Sequence, residues 1–431
     1  MKKTITFLFA FILFTNSLQA QQNQQQLNDS LIREFLALKK DVEELKKPRL
    51  KLGSSFSYKL GIGFTTPDSS YSVNIRFRMQ NRFLMNTISD EDLSAASWEA
   101  RVRRCRLSFA GHMLNSKWNY YMQLSFSRGD MDWSDADAST QNTSPNIVRD
   151  AMIFYRPVKS LQFGFGQGKL PGNRQRITSS SQLQFYDRSI VNVNFTPDRD
   201  FGFFVNYTAH LGKTVTILTK LAATSGEGRN SVSSNTGLAY TGRIELLPLG
   251  TFTDAGDYYE GDLAREPKPK ISIAGAYHFN DLAVRTGGQL GKDLLATRSF
   301  NVYMADFVFK YKGFALSSEY IRRDTDGSPI VIGSDAKSKT IITGDGINTQ
   351  VSYCFKNMYE IALRHSLVSP HNDVLAKVRE NEQYGFGVSK YLNKHKVKVQ
   401  GNVFYNRERD LSKQENHNSY FFAVFQIELG I

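Results

Sequence analysis

The chain has 431 residues, a formal net charge of +13 and a mean hydropathy of −0.38. Its two cysteines exclude a disulfide framework, and no run reaches the ~18 apolar residues of a membrane-spanning helix. The low hydropathy does not exclude a transmembrane β-barrel, in which only alternate residues face lipid.

Residues 1–20 read as an export signal. Lys2 and Lys3 form a basic start, Ile5–Phe14 an apolar run, and Leu18-Gln19-Ala20 a loose cleavage site, which predicts a mature start at Gln21. The apolar run is about half the ~20 residues a helical anchor needs. Loss of Lys2 and Lys3 with that leader lowers the charge from +13 to +11. A basic balance in an exported chain points to anionic solutes or lipid head groups, not to nucleic acid.

Residues 21–49 read as a flexible start and a short heptad helix. Leu31, Phe35, Leu38, Val42 and Leu45 are spaced 4, 3, 4, 3, and Pro48 ends the run. So few heptads are marginal for a lone helix, so self-association is one expectation and an amphipathic linker the other.

From residue 50 to 431 the period changes to two, which predicts an all-β domain: a 16-stranded antiparallel transmembrane β-barrel. Val73, Ile75, Phe77 and Met79 alternate with Asn74, Arg76, Arg78 and Gln80. Phe201, Phe203, Val205 and Tyr207 do the same against Gly202, Phe204, Asn206 and Thr208. Strands are predicted to start near residues 71, 99, 117, 146, 161, 199, 213, 238, 271, 300, 313, 346, 358, 382, 394 and 419. Short links such as Leu211-Gly212-Lys213 and Lys312-Gly313 alternate with long polar stretches at 129–145, 169–198, 324–345 and 408–418. That asymmetry is expected of tight turns on one side of a membrane and long loops on the other. Segment 249–270 breaks the rule: it is either a long connection on the short-turn side or an unrecognised strand pair. In the last strand Phe421, Phe425, Ile427, Leu429 and Ile431 share one face. This resembles the signal read by barrel-assembly machinery, although that signal usually ends in Phe.

A series of segments carries a wider likeness: RVRRCRLSFAGHM (101–113), KWNYYMQLSF (117–126), RDAMIFYRP (149–157), LQFGFGQGKLPG (161–172), TSSSQLQFYDRS (178–189) and PDRDFGFFVN (197–206). In this order they resemble the phosphate-selective porin O and P family, most densely over 70–210. The resemblance implies a 16-stranded barrel in the outer membrane, usually a homotrimer, that passes anions with a preference for phosphate and lines its lumen with Arg and Lys.

Face assignment supplies an independent argument for anions. With apolar residues towards lipid, Arg76, Arg78, Arg82, Arg104 and Arg106 fall on the luminal face, with Arg243, Arg364, Lys396 and Lys398. A basic residue on the lipid face would cost ~2–4 kcal/mol at mid-bilayer. Rings of Arg or Lys attract anions, and the planar Arg fork suits phosphate oxygens. The same face carries Glu245, Asp306, Glu319 and Glu360, and a mixed lumen would give only modest selectivity. A weakly selective diffusion pore is therefore the alternative, and a surface adhesin or binding barrel a more distant one. Loop 169–198, with Lys169, Arg174, Arg176, Arg188 and Ser179 to Ser181, is the candidate constriction; otherwise it is a solvated external loop.

Catalytic and cofactor patterns are absent. Gly164, Gly166 and Gly168 lie on one strand face and not in a phosphate loop, and the seven His show no metal-ligand spacing. No G-x-S-x-G elbow occurs. Asp130, Asp132, Asp135 and Asp137 could bridge lipopolysaccharide through a divalent cation, or be solvated. About 50 residues precede the first barrel strand, too few for the plug of an energy-coupled transporter.

Overall fold

The computed structural model describes residues 25, 29–30, 32–40, 61–127, 147–212, 214–231, 235–333 and 337–431. The expected leader, three of the five heptad positions and the acidic cluster between 130 and 137 lie outside the described residues. The chain divides into two units, 1–54 and 55–431. In the first, residues 32–40 are helical, with Phe35 70% and Leu38 65% exposed.

The second unit is a closed antiparallel barrel of sixteen strands. A short strand β1 (Ile62–Thr65) comes first. Then follow β2 (Ser72–Thr87), β3 (Ala95–Met113), β4 (Asn115–Ser125), β5 (Val148–Val158), β6 (Leu161–Lys169), β7 (Arg199–Leu211), β8 (Val215–Thr224) and β9 (Ala239–Leu247). The other half is β10 (Lys270–Arg285), β11 (Asp293–Tyr311), β12 (Phe314–Thr325), a small hairpin β13 (Ile330–Ile332) and β14 (Ser338–Thr340), β15 (Gly344–Cys354), β16 (Tyr359–Pro370), β17 (Glu380–Asn393), β18 (Val397–Asp410) and β19 (Glu415–Gly430). Each of the sixteen predicted starts corresponds to one barrel strand; β1 and the β13–β14 hairpin are additional.

β19 closes on β2, with Phe422 opposite Asn86 and Gly430 opposite Arg78. Where β19 runs out, β1 takes over that edge of β2, with Phe64 opposite Val73. Edge amides and carbonyls are thereby paired, as a membrane-embedded sheet requires. The Lys312-Gly313 link has φ of +49° and +97° and joins the facing pair Tyr311 and Phe314, the two-residue geometry that matches strand twist.

Segment 248–269 hides no strand pair: it is one long connection on the short-turn rim. The predicted loop 408–418 shrinks to 411–414, because polar residues such as Arg407 and Glu408 pair as strand with Ser419 and Asn418. Both faces of the strands are polar there, so alternation no longer marks them. The 324–345 stretch carries the β13–β14 hairpin, and 129–145 lies outside the described residues.

Alternation sorts the two faces. On β7, Phe201, Phe203 and Tyr207 are 47%, 65% and 48% exposed on the outer surface, while Gly202 and Phe204 are buried inside. Ile244, Leu363, Phe386 and Phe425 continue the apolar outer band. Towards the long-loop rim it ends in aromatic pairs, Tyr277 with Tyr303, His365 with Tyr384 and Tyr405 with Phe421. Such a girdle is what an interfacial position demands. Cys105 is half-buried in register with Met79 of the outer face, and Cys354 is buried; neither forms a disulfide.

Candidate functional site

Inside the barrel the deciding element is 170–198, which crosses the lumen. Its sequence contains apolar residues that no solvated loop would hold. Leu183, Phe185, Val191 and Phe195 are 0–1% exposed. Val191 and Phe195 pack on Val302, Met304, Ile321 and Val368, and Phe185 packs on Phe404, Phe422 and Val424. Leu170 packs on Met152 and Phe204. Burying such a side chain contributes about 1.5–3 kcal/mol, against about 0.2–1 kcal/mol for an exposed ion pair. These pegs therefore hold the insert, and its polar groups decide orientation. Two helical pieces, Arg174–Ile177 and Ile190–Phe195, compact it, and Ser189 caps the second by accepting the amide of Asn192. On β6 the inward glycines allow β5 to lie close: a Cβ on Gly166, at φ +128°, would stand 2.2 Å from the Ala151 carbonyl oxygen.

The insert has two electrostatic faces. Towards β9–β12 it presents Arg174, whose guanidinium lies 2.9 Å from Asp306 and 2.8 Å from Glu245. Arg243 joins the same carboxylates, 2.6 Å from Asp306 and 3.1 Å from Glu245. Glu319 accepts from Asn173 and from the Gln175 amide, 3.0 Å each. Towards β2 and β3 it presents Asp187, the Ser180 hydroxyl and the carbonyls of Ser181 and Leu183. Asp187 receives Arg104 at 2.7 Å and Arg103 at 2.9 Å, with Arg82 at 3.6 Å. Ser180 accepts from Arg78 at 2.8 Å and from Arg106 at 3.0 Å. Arg78 and Arg106 face each other across the strands, a repulsive pairing that this shared acceptor bridges. Lys398 donates to Ser181 and Leu183 carbonyls at 3.0 and 2.7 Å and lies 3.6 Å from Glu428, which also takes Arg78 at 2.6 Å.

The sequence-predicted residues thus have different placements. Arg78, Arg82, Arg104, Arg106, Arg243, Arg364 and Lys398 point inwards and touch the insert or its wall partners; Arg364 donates to the Asp187 carbonyl at 3.1 Å and covers the Phe185 ring at 4.2 Å. Arg76 is exposed, on the same face as Arg78. Lys396 does not belong to the ladder: it lies in the turn before β18, because the strand starts only at Val397. Among the loop residues, Lys169 donates to the Ile177 and Thr178 carbonyls at 3.1 Å, and Arg188 to those of Gln175 and Thr178 at 2.8 Å. Arg176 pairs with Asp198. These three bases hold the insert together as well as charging it, while Arg174 ties it to the wall.

Two functional residues escaped the alternation rule. Arg103 should face outwards, but a register shift between Gln80 and Asn81 leaves it as the extra residue of a bulge, so both Arg103 and Arg104 reach Asp187. Consecutive arginines in a strand are the signal that was available. Glu260 belongs to the second insert, 248–269, which also folds inwards. Its amide donates to the Gln182 carbonyl at 2.9 Å. Its carboxylate accepts from the Gln175 side chain at 3.0 Å and from the Gln184 amide at 2.9 Å. Lys310 anchors that insert by donating to the Gly256 and Tyr259 carbonyls at 2.7 and 2.8 Å. A cavity of about 30 Å³ remains between the inserts and the wall at Glu319 and Gln350, room for about one water.

Glu260 therefore latches the two inserts. Hydrogen bonds to a charged group are worth about 1.5–3 kcal/mol each, and Glu260→Ala removes two. The variant is expected to show higher single-channel conductance and more open-channel noise, with the heat-modifiable barrel band unchanged on a gel. Wild-type traces from the variant would show that the latch is not needed.

Arg176, Ser179, Ser181, Asp187 and Arg188 are half-exposed in the middle of the 170–198 insert, and Val193 near its end is exposed. Arg76, Tyr121, Gln123 and Gln162 are also incompletely buried on the inward-facing side of β2–β6. Solvent therefore reaches both the middle of the insert and the β2–β6 side of the lumen.

Residues 73–427 match the family model described as phosphate-selective porin O and P. Among solved structures, the outer membrane channel DcaP of Acinetobacter baumannii superposes with a TM-score of 0.52 at 12% identity, over 86% of this chain and 99% of that one. Salmonella typhi OmpF in complex with daunomycin gives 0.51 at 14%, over 84% and 98%. The trimer form of OmpT, an outer membrane protein of Vibrio cholerae, gives 0.50 at 10%, over 84% and 100%. At these identities the likeness is one of fold. A comparison with curated proteins finds no match.

Proposed function

This chain belongs to the phosphate-selective porin O and P family, and from that membership we propose that its pore prefers anions, phosphate among them. The protein is an outer-membrane porin, a channel rather than an enzyme. One observation carries the anion reading. Among the described residues, Arg78, Arg82, Arg101, Arg103, Arg104 and Lys398, six cations, pair with three carboxylates, Asp187, Glu428 and Glu99, and Arg106 beside them donates to the Ser180 hydroxyl. In this reading the solute passes between the middle of the insert and this wall, where low-dielectric surroundings strengthen the field of the excess positive charge. Lys and Arg at such a wall replace part of the water lost by a small anion, while the paired carboxylates keep binding weak enough for release.

The test is a reversal potential across a planar bilayer holding the purified protein in a salt gradient. Chloride preference is expected, and added phosphate should reduce the chloride current. A wild-type potential that favours cations would end the anion reading while leaving the porin intact. The second reading, a weakly selective pore, is favoured by the acidic wall of Glu245, Asp306 and Glu319; it predicts a ratio near unity.

Further parts of the reading concern biogenesis and assembly. Residues 1–20 would direct export and be removed, and the terminal face of Phe425, Ile427 and Leu429 would engage barrel-assembly machinery. Lipopolysaccharide would contact the outer rim. The protein would form a homotrimer, assisted by the heptads that include Phe35 and Leu38, both exposed. Deleting 27–47 is expected to weaken the oligomer on a native gel and leave the barrel folded. Equal oligomer stability in both forms would remove the heptads from the assembly.

A further inference from the structure

We propose that the long-loop mouth of the lumen carries a shelf that binds planar aromatic carboxylates, a solute class whose entry would rest on the anion-passing reading above. Four strand or insert residues build the base. Phe404 and Phe422 stack with centroids 4.9 Å apart and planes 10° apart. Tyr186 stands edge-on to both, at 5.3 and 5.9 Å, and Phe185 closes the back at 5.6 Å from Phe404. Phe404 and Phe185 are completely buried and Phe422 nearly so.

Packing of the insert accounts for those buried rings but not for what surrounds them. Leu84, Tyr186 and Tyr420 are only partly buried and pack against the same cluster, with Tyr420 6.3 Å from Phe422. An apolar step in a water-filled vestibule is costly to leave wet, so it favours a ring that covers it. Cations flank the step. Arg82 lies 5.4 Å over the Tyr186 ring. Arg101, 43% exposed, shares the inward face of β3 with Glu99, 2.6 Å away, and Arg103 reaches Asp187. Among the described residues, Arg82, Arg101, Arg103 and Arg104 face two carboxylates, Glu99 and Asp187, so more cations than carboxylates stand beside the rings. Glu408 stands further out on β18 and keeps the outer end of the shelf acidic.

The geometry divides the work. The ring of the solute lies on Tyr186, Tyr420 and Leu84, and its carboxylate turns towards Arg101 and Arg103. Inorganic phosphate and acetate can use only the cations. A neutral aromatic can use only the rings.

Block of chloride current by benzoate, cyclohexanecarboxylate and acetate in the full chain tests this. Benzoate is expected to block at about a tenfold lower concentration than acetate, the equivalent of one favourable ring contact. Tyr420→Leu, which keeps an apolar side chain for packing, should bring the benzoate-to-acetate ratio most of the way to one. Lys337→Gln, on the exposed hairpin tip, should leave that ratio as in wild type. Equal block by benzoate and acetate, equal block by benzoate and cyclohexanecarboxylate, or an unaltered ratio in Tyr420→Leu would each overturn the shelf. Calorimetric titration of benzoate and acetate into the detergent-solubilised protein decides the same question without any current. A cation-selective pore that still bound benzoate through Tyr420 would separate failure of the anion reading from failure of the shelf.

Discussion

Replacing Asp187 by asparagine is expected to raise the anion-to-cation permeability ratio by about twofold or more at 0.1 M salt, where the Debye length is ~10 Å, and by less at 1 M. Burial disfavours the charged form of this carboxyl, but Arg104 and Arg103 outweigh it and hold it well below the usual carboxylate range. It is therefore ionised throughout the working pH range and neutralises part of a three-arginine cluster. The amide keeps the shape and one acceptor while removing the charge, so Arg82, Arg103 and Arg104 gain field strength. Their coordinates need change little, because Phe185, Val191 and Phe195 still peg the insert. Alanine at 187 is a harsher change: it removes the acceptor as well, and breaking a buried ion pair costs about 3–5 kcal/mol. That variant should add gating noise. An unchanged or lowered ratio in Asp187→Asn would mean that the passage does not run beside this cluster.

The opposite shift is expected from Arg76→Gln combined with Arg78→Gln. Arg76 is exposed on the inward face of β2, and Arg78 is the nearest partner of Glu428. Removing both takes away two positive charges and leaves Glu428 with Lys398 and Gln80 alone. A single charge at ~4 Å is worth ~1 kcal/mol in bulk water and more at lower dielectric, so the ratio should fall about fivefold or more. Arg104→Gln and Arg106→Gln should act differently. Both side chains hold the insert, through Asp187 and Ser180, so their loss should disturb conductance and noise along with selectivity. Lys337→Gln, exposed on the hairpin tip, should change the ratio little. Equal effects of Lys337→Gln and the Arg76/Arg78 pair would place selectivity in the outer vestibule.

Much of this molecule is written locally. Period-two alternation determines the sixteen strands and assigns each side chain to lipid or lumen, because a strand has only two faces and a charge towards lipid is expensive. Hence Arg78, Arg104, Arg106 and Lys398 were readable as inward-facing, and Phe203 and Phe425 as outward-facing, from neighbours two residues away. Parity even marked 249–270 as an odd connection. What local pattern could not determine is which charges meet. Asp187 finds Arg104 83 residues earlier, and Gln80 finds Glu428 348 residues later. Only barrel closure and the inward fold of 170–198 bring them within 3.1 Å. The bulge at Arg103 likewise depends on the register with β2, not on the sequence of β3. The apolar residues of the insert were visible, but their partners, Val302, Ile321 and Phe404, lie on far strands. Their meaning emerges only when the walls face one another across the lumen, because burial and charge pairing depend on distance in space and not along the chain.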